Sequence, residues 1–108
     1  MSDITTIQVT QNKKGYPLNF TVKDADGEVV NLTGMTLQFR VAEKVTFTKK
    51  FAGNCVIVSA TEGTCYYTVV EGNFDTVNNY YGVVQFTKDD LDDCTRRIEI
   101  EVEKDIPT

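Results

Sequence analysis

Residues 98–103 have the sequence Ile-Glu-Ile-Glu-Val-Glu, in which apolar and acidic side chains alternate at every position. Alternation with a period of two places the apolar side chains on one face of a β strand and the acidic ones on the other. The same pattern occurs at 18–23, Leu-Asn-Phe-Thr-Val-Lys, and at 35–41, Met-Thr-Leu-Gln-Phe-Arg-Val. These segments predict strands with one face on a hydrophobic core and the other in water.

The composition of the 108-residue chain also favours strands. It contains 14 Val, 6 Ile and 15 Thr, but only four Leu and four Ala. Side chains branched at Cβ fit a pleated sheet better than a helix. The absence of His excludes a Ser-His or Cys-His nucleophile within the chain, as well as a histidine zinc site. The net charge of −5 argues against binding to nucleic acid, which requires clustered Lys and Arg.

Turn sequences separate the predicted strands. Further strands are predicted at 4–10, 45–51, 55–59, 64–70 and 80–87, and Gly-containing turns at 24–27, 32–34, 52–54 and 61–63. Short helical turns are predicted at 71–76 and 88–93. About eight short strands at this spacing are typical of an antiparallel sandwich or barrel. We therefore predict one all-β domain over residues 1–108.

Ten apolar side chains at the inward-facing positions of these strands form the predicted core. They are Phe20, Leu37, Phe39, Val58, Tyr67, Val69, Val84, Phe86, Ile98 and Ile100. Their burial contributes on the order of 20 kcal/mol of gross stabilisation, much of it offset by chain entropy. A domain of this size is therefore expected to fold without a metal ion or a disulfide.

Two cysteines are candidates for chemistry. Cys55 and Cys65 flank the turn near residues 60–63, so they are expected on neighbouring strands. This placement is compatible with three states: two buried reduced thiols, a cross-strand disulfide formed outside the cell, or two thiolate ligands of a metal ion. The expected cytoplasmic origin of the chain favours reduced thiols. Cys94 is expected to be a separate free thiol.

The acidic segment 88–93, Lys-Asp-Asp-Leu-Asp-Asp, is a candidate calcium site. Its spacing does not match the 12-residue calcium loop, and no Gly provides the sharp turn. A solvated loop is expected instead, with Leu91 turned inward and Asp89 or Asp90 capping a helical turn. Paired carboxylates also suit glycoside hydrolysis, but a sandwich of this size is expected to lack a deep cleft. No catalytic, cofactor-binding or metal site is predicted.

Surface features suggest contacts with other molecules. Tyr80 and Tyr81 are adjacent on one predicted strand, so one is expected in the core and the other at the surface, where Tyr anchors interfaces or stacks on sugars. Residues 1–54 carry seven basic and five acidic side chains, whereas residues 55–108 carry four and eleven. This asymmetry suits either head-to-tail association of subunits or random placement. The pairs Lys49-Lys50 and Arg96-Arg97 are too few for a phosphate-binding stripe.

No apolar run approaches the roughly 20 residues of a membrane helix, so membrane insertion is not expected. The first 15 residues lack the features of a secretory signal. Synthesis in a host cytoplasm is therefore expected.

A series of short phrases resembles a known family. The phrases are GYPLNFTV at 15–22, DADG at 24–27 and NLTGMTLQFR at 31–40, followed by matching segments at 53–58, 62–69, 72–76 and 80–81. Their order and spacing resemble the N-terminal domain of the upper baseplate proteins of tailed phages, over roughly residues 8–87.

The resemblance implies an immunoglobulin-like β-sandwich of about seven to eight strands. It also implies an attachment module in a virion tail or baseplate. We therefore predict a non-enzymatic structural protein of the virion, as a tail, baseplate, neck or head accessory subunit, without a cofactor. Such a protein acts through contacts with other virion structural proteins and can form a homo-oligomer. The alternative is a carbohydrate- or receptor-binding module that uses exposed Tyr and Asn side chains in the turns.

Overall fold

The structure is a computed structural model that describes residues 5–24 and 26–106. The described residues form nine strands and no helix. The strands are β1 (Thr5–Thr10), β2 (Pro17–Thr21), β3 (Thr36–Glu43), β4 (Lys49–Asn54), β5 (Val56–Ser59), β6 (Thr64–Thr68), β7 (Asn79–Lys88), β8 (Leu91–Cys94) and β9 (Ile98–Glu103). Ile4, the first residue of the predicted N-terminal strand, lies outside the described residues.

The strands form two sheets. The larger sheet has the order β1-β9-β7-β3-β4, with β8 also paired to β7, and the smaller one has the order β2-β6-β5. All pairs are antiparallel except β1 and β9, which run parallel. Aromatic side chains of the two sheets pack against one another between them, so the predicted all-β sandwich is confirmed. It has nine strands instead of seven to eight.

Strand β7 holds the larger sheet together. One edge of β7 pairs with β3, and the other pairs first with β9 and then with β8. The β8 and β9 registers differ by one residue, so the chain bulges at residues 95–97. Thr95 bridges this bulge: its backbone N–H donates to the Val84 carbonyl, and its hydroxyl accepts from the Val84 N–H, both at 3.0 Å.

The centre of the core is an aromatic cluster around Phe39. Its ring centroid lies 4.9 Å from that of Phe20, 5.3 Å from Tyr67 and 5.9 Å from Phe51. Phe20 and Tyr67 belong to the smaller sheet, and Phe39 and Phe51 to the larger one. The cluster therefore joins the two sheets, and offset or tilted pairs of this kind add to the stabilisation from burial.

Eight of the ten predicted core residues are buried, but Val58 and Ile98 are not. Ile98 is half-buried against the core. Val58 is 64% exposed, because Ile57 pairs with Cys65 and faces the core, which turns Val56 and Val58 outward. Residues 56–58, Val-Ile-Val, are apolar on both faces of the strand, so the sequence did not distinguish the buried face from the exposed one.

The predicted helical turn at 88–93 is wrong. These residues form a β-hairpin in which Lys88 pairs with Leu91 around the two-residue turn Asp89-Asp90. Asp89 has a φ of 52°, which Asp tolerates better than most residues. Pairing along the edge of β7 decides the conformation of this segment, and Leu91 is exposed instead of turned inward.

Two other segments differ from the prediction. Strand β4 begins at Lys49, so residues 45–48 belong to the loop of the β3–β4 hairpin and not to the predicted strand 45–51. The segment 71–76 contains a turn but no helix. Asn73 stabilises that turn, because its side-chain oxygen accepts from the Tyr67 hydroxyl at 2.7 Å and the Val70 N–H at 2.9 Å.

A pair of matched substitutions tests the assignment of Val58 to the outer surface. We expect Val58→Thr to change the free energy of unfolding by less than about 0.5 kcal/mol, as for ordinary surface positions. The same change at Val84, which is fully buried, should cost about 1–3 kcal/mol because it buries a hydroxyl. Urea denaturation of the two variants measures both values. Equal losses would contradict the assignment.

Candidate functional site

The outer face of the larger sheet presents a cluster of side chains that the core does not use. Strand register places Ala42 opposite Tyr81, and Arg40 opposite Val83. Tyr81 is also opposite Glu99 of β9. These residues alternate with the buried Val41, which marks their face as the one turned away from the smaller sheet.

Phe47 lies on this face from the loop of the β3–β4 hairpin. Its N–H donates to the Glu43 carbonyl at 2.9 Å, and the Glu43 N–H donates to the Thr48 carbonyl at 2.9 Å, which closes the loop. The Phe47 ring stacks on Tyr81 with centroids 5.9 Å apart and an interplanar angle of 29°. Phe47 has a φ of 57°, a left-handed conformation that is unusual for a bulky residue.

Arg97 packs against both rings. Its guanidinium carbon lies 4.8 Å from the Phe47 ring centroid and 5.2 Å from that of Tyr81. Both distances suit cation–π attraction. Arg97 follows the bulge at 95–97, and its neighbour Ile98 pairs with Gly82, so the bulge sets the position of Arg97 beside Tyr81.

Lys44 supports Tyr81 from another side. Its ammonium nitrogen lies 5.6 Å from the Tyr81 ring centroid and forms an ion pair with Glu99. The hydrogen bond to Glu99 raises the pKa of Lys44. The charge of Lys44 is therefore compensated by Glu99, whereas Arg97 forms no ion pair among the described residues.

Together these side chains form a shallow groove of about 430 Å³. We call it the aromatic–cation groove, and define it by Gln38, Arg40, Phe47, Lys49, Tyr81 and Arg97. Ala42, Ala52 and Val83 also line it, whereas Asp and Glu do not. Arg, Tyr and Phe are residue types enriched at protein interfaces, so the groove is suited to binding a partner by stacking and by charge.

A larger cavity of about 780 Å³ lies beside β2 and the bulge at 95–97. Its lining includes the basic residues Lys23, Arg96 and Arg97 and the acidic residues Asp24 and Asp26, so charges of both signs are mixed in it, whereas no acidic residue among those described lines the aromatic–cation groove. Two of its lining residues, Asp24 and Asp26, are the sequence neighbours of Ala25, which lies outside the described residues. The aromatic–cation groove is therefore the better candidate site.

The sequence analysis predicted no site here, but it singled out one groove residue, the surface-facing Tyr of the pair 80–81. Tyr80 is buried and Tyr81 is only half-buried, so the predicted split of this pair between the two faces is confirmed. Lys49 and Arg97, from the two basic pairs, lie in the groove, whereas Lys50 forms an ion pair with Asp75. Phe47 was missed, because Val45 and Phe47 alternate with Thr residues as they would in a strand.

The cysteines lie away from the groove. The register places Ile57, not Cys55, opposite Cys65, so the two cysteines are diagonal neighbours and not directly opposed. All three cysteines are free thiols, with Cys65 buried and Cys94 exposed. The neighbouring Cys65 and burial both raise the pKa of Cys55, which keeps this thiol protonated. That Cys55 and Cys65 stay reduced in the mature protein remains a prediction.

The acidic hairpin offers no metal site within the described residues. In residues 5–24 and 26–106, no three Cys, Asp or Glu side chains are arranged to hold a metal ion. Within the same ranges, no helix has the length and apolar character needed to cross a membrane.

Comparison with known proteins identifies the family. The family model of the BppU N-terminal domain, from a phage baseplate upper protein, matches residues 2–108. The chain therefore belongs to this family, as the resemblance implied, and is a structural domain of a phage baseplate and a component of the virion. No curated protein matches the chain.

Substitutions at Phe47 test the unusual backbone at the groove. Because Gly accepts a left-handed φ without the cost that a Cβ imposes, we expect Phe47→Gly to be more stable than Phe47→Ala by about 1 kcal/mol. At Val45, in the same loop and outside the left-handed region, the order should reverse, with Ala more stable than Gly by about 0.4–1 kcal/mol. Urea denaturation measures both pairs. The same order at both positions would contradict the backbone assignment.

Proposed function

We propose that this phage baseplate domain is a non-enzymatic structural subunit that contacts a neighbouring virion protein through the aromatic–cation groove. The observation that carries the proposal is Phe47, which is 54% exposed and held in a left-handed conformation against Tyr81 and Arg97. A large apolar side chain in a strained, exposed position suits a binding role better than a role in folding.

The arrangement of the groove lowers the cost of binding. Phe47, Tyr81 and Arg97 restrain one another, so a partner does not have to order three separate side chains. Fixing a flexible side chain at an interface costs about 0.5–1.5 kcal/mol. Preorganised aromatic and Arg side chains are the usual dominant contributors to protein–protein affinity.

The ionisable groups of the groove suit binding better than catalysis. They are Arg40, Lys49, Tyr81 and Arg97, and no carboxylate, thiol or imidazole of the described residues lines the groove. Guanidinium, ammonium and phenol groups attract anions or donate hydrogen bonds, whereas the usual general bases are absent from this lining. The net charge of −5 opposes binding of a nucleic-acid backbone to the rest of the surface.

The alternative of carbohydrate binding is less well supported. A sugar stacks on an open aromatic face, but Tyr81 is covered by Phe47 and Arg97, and Tyr80 is buried. Tyr66, on the outer face of the smaller sheet, is half-buried beside Val56. The experiment below separates this alternative from protein contact.

The proposal is tested in the phage that encodes this protein. Particles are produced with the wild-type chain, with Phe47→Ala plus Arg97→Ala, or with the control Val45→Ala plus Lys23→Ala. The control changes a Val of the same loop, 89% exposed, and an exposed cation outside the groove. We expect the groove variant to be incorporated at about one tenth or less of the wild-type level, since hot-spot truncation costs roughly 2 kcal/mol or more. Quantitative mass spectrometry of purified particles measures the incorporation.

Circular dichroism of the purified variants checks that both remain folded. Incorporation of the folded groove variant at the wild-type level would contradict the proposed contact. Binding of the wild-type chain to purified host cell-wall polysaccharide, lost in the groove variant, would favour the carbohydrate alternative.

A further inference from the structure

We infer that the aromatic–cation groove binds the acidic β7–β8 hairpin of a second copy of the chain, so that copies associate head to tail. The inference rests on the proposed function, because it names the partner of the same groove. The hairpin in question is residues 88–91 with the adjoining Asp92 and Asp93.

The cations of the groove have no carboxylate partner among the described residues. Among the described residues, Arg40, Lys49 and Arg97 form no ion pair. Four other lysines do: Lys13 with Asp105, Lys14 with Glu71, Lys44 with Glu99 and Lys50 with Asp75. Arg40 has only a 3.3 Å hydrogen bond to the Gln85 amide oxygen. Three uncompensated cations around one groove favour an anionic ligand.

The carboxylates of the acidic hairpin likewise have no cationic partner among the described residues. Asp89, Asp90, Asp92 and Asp93 are all exposed, and none forms an ion pair with a described cation. Asp92 accepts a hydrogen bond from the Gln85 side chain at 2.7 Å. The ammonium group of Lys88, next to the turn, donates to the Thr33 carbonyl at 3.3 Å instead. The hairpin therefore presents two exposed carboxylates on its turn and two more on the adjoining strand β8.

A single copy does not bring the tip of the hairpin to the far end of the groove. Within one chain, Asp92 is linked to Arg40 only through the Gln85 side chain, which accepts from Arg40 and donates to Asp92. Tyr81 in the groove and Lys88 at the hairpin lie on the same strand, β7, and a strand rises roughly 3.3 Å per residue, which separates them by about 23 Å. β3 pairs with β7 from Tyr80 to Thr87, which keeps the strand extended. Direct contact of the hairpin tip with Lys49 or Arg97 therefore requires a second copy.

The contact joins two different surfaces of the chain. An interface of that kind is heterologous, and its repetition gives a ring if the rotation closes and a filament if it does not. It agrees in part with the uneven charge of the sequence, because Arg40 and Lys49 lie in the net basic residues 1–54 and the hairpin lies in the net acidic residues 55–108. An acidic protein of another kind would satisfy the groove but would leave the hairpin unpaired.

Sedimentation velocity of the purified chain tests the inference. At low salt, we expect the weight-average sedimentation coefficient of the wild-type protein to rise with concentration. At high salt it should fall to the monomer value, because exposed charge pairs are screened. A monomer at all concentrations in low salt would overturn the inference but would leave the proposed contact with another virion protein intact.

Two charge-reversed variants make the test specific. The groove variant carries Lys49→Glu and Arg97→Glu, and the hairpin variant carries Asp90→Lys and Asp92→Lys. We expect each variant alone to be monomeric at low salt. An equimolar mixture should associate again, because the acidic hairpin of one variant meets the intact groove of the other, and the reversed hairpin and the reversed groove are also opposite in charge.

Matched controls make the same charge changes elsewhere. Lys23→Glu with Lys104→Glu, and Glu62→Lys with Glu103→Lys, alter exposed residues outside both features. These controls should associate as the wild-type protein does. Loss of association in the controls, or no complex in the mixture of the two variants, would contradict pairing between groove and hairpin.

Discussion

The double pairing of β7 is the constraint on which the rest of the structure depends. β3 occupies one edge of this ten-residue strand, and β9 and β8 share the other. Because side chains alternate along a strand, the same pairing buries Tyr80, Val84 and Phe86 and turns Tyr81 outward. The strand therefore fixes the core and the candidate contact surface together.

Close packing at two glycines allows this arrangement. A Cβ at Gly82 of β7 would lie 2.9 Å from the Phe39 ring, and a Cβ at Gly53 of β4 would lie 2.4 Å from the Tyr67 ring. Both rings belong to the aromatic cluster that joins the sheets. The absence of side chains at these positions lets the rings approach the backbone, and the cluster in turn holds β7 in place.

The parts of the fold that the sequence predicted are those in which one face of a strand is polar. Residues 98–103 and 35–41 alternate strictly, and their structure follows the prediction apart from the half-buried Ile98. At 56–58 the side chains on both faces of the strand are apolar, so the sequence pattern did not show which face is buried. At 91–94 an acidic segment forms a strand because it pairs with the edge of β7, which the local pattern does not reveal. The groove was less predictable, since Phe47 and Arg97 are 50 positions apart and meet only through strand register and a bulge.

Hydroxyl-radical footprinting of Phe47 in the free protein and in the intact phage particle tests the central claim, that the outer face of the larger sheet is the contact surface. Phe47 is 54% exposed in the free chain, and Val58, on the outer face of the smaller sheet, serves as the internal reference. We expect oxidation of Phe47 to fall several-fold in the particle relative to oxidation of Val58. Equal oxidation of Phe47 in the free protein and the particle, relative to that reference, would contradict the account.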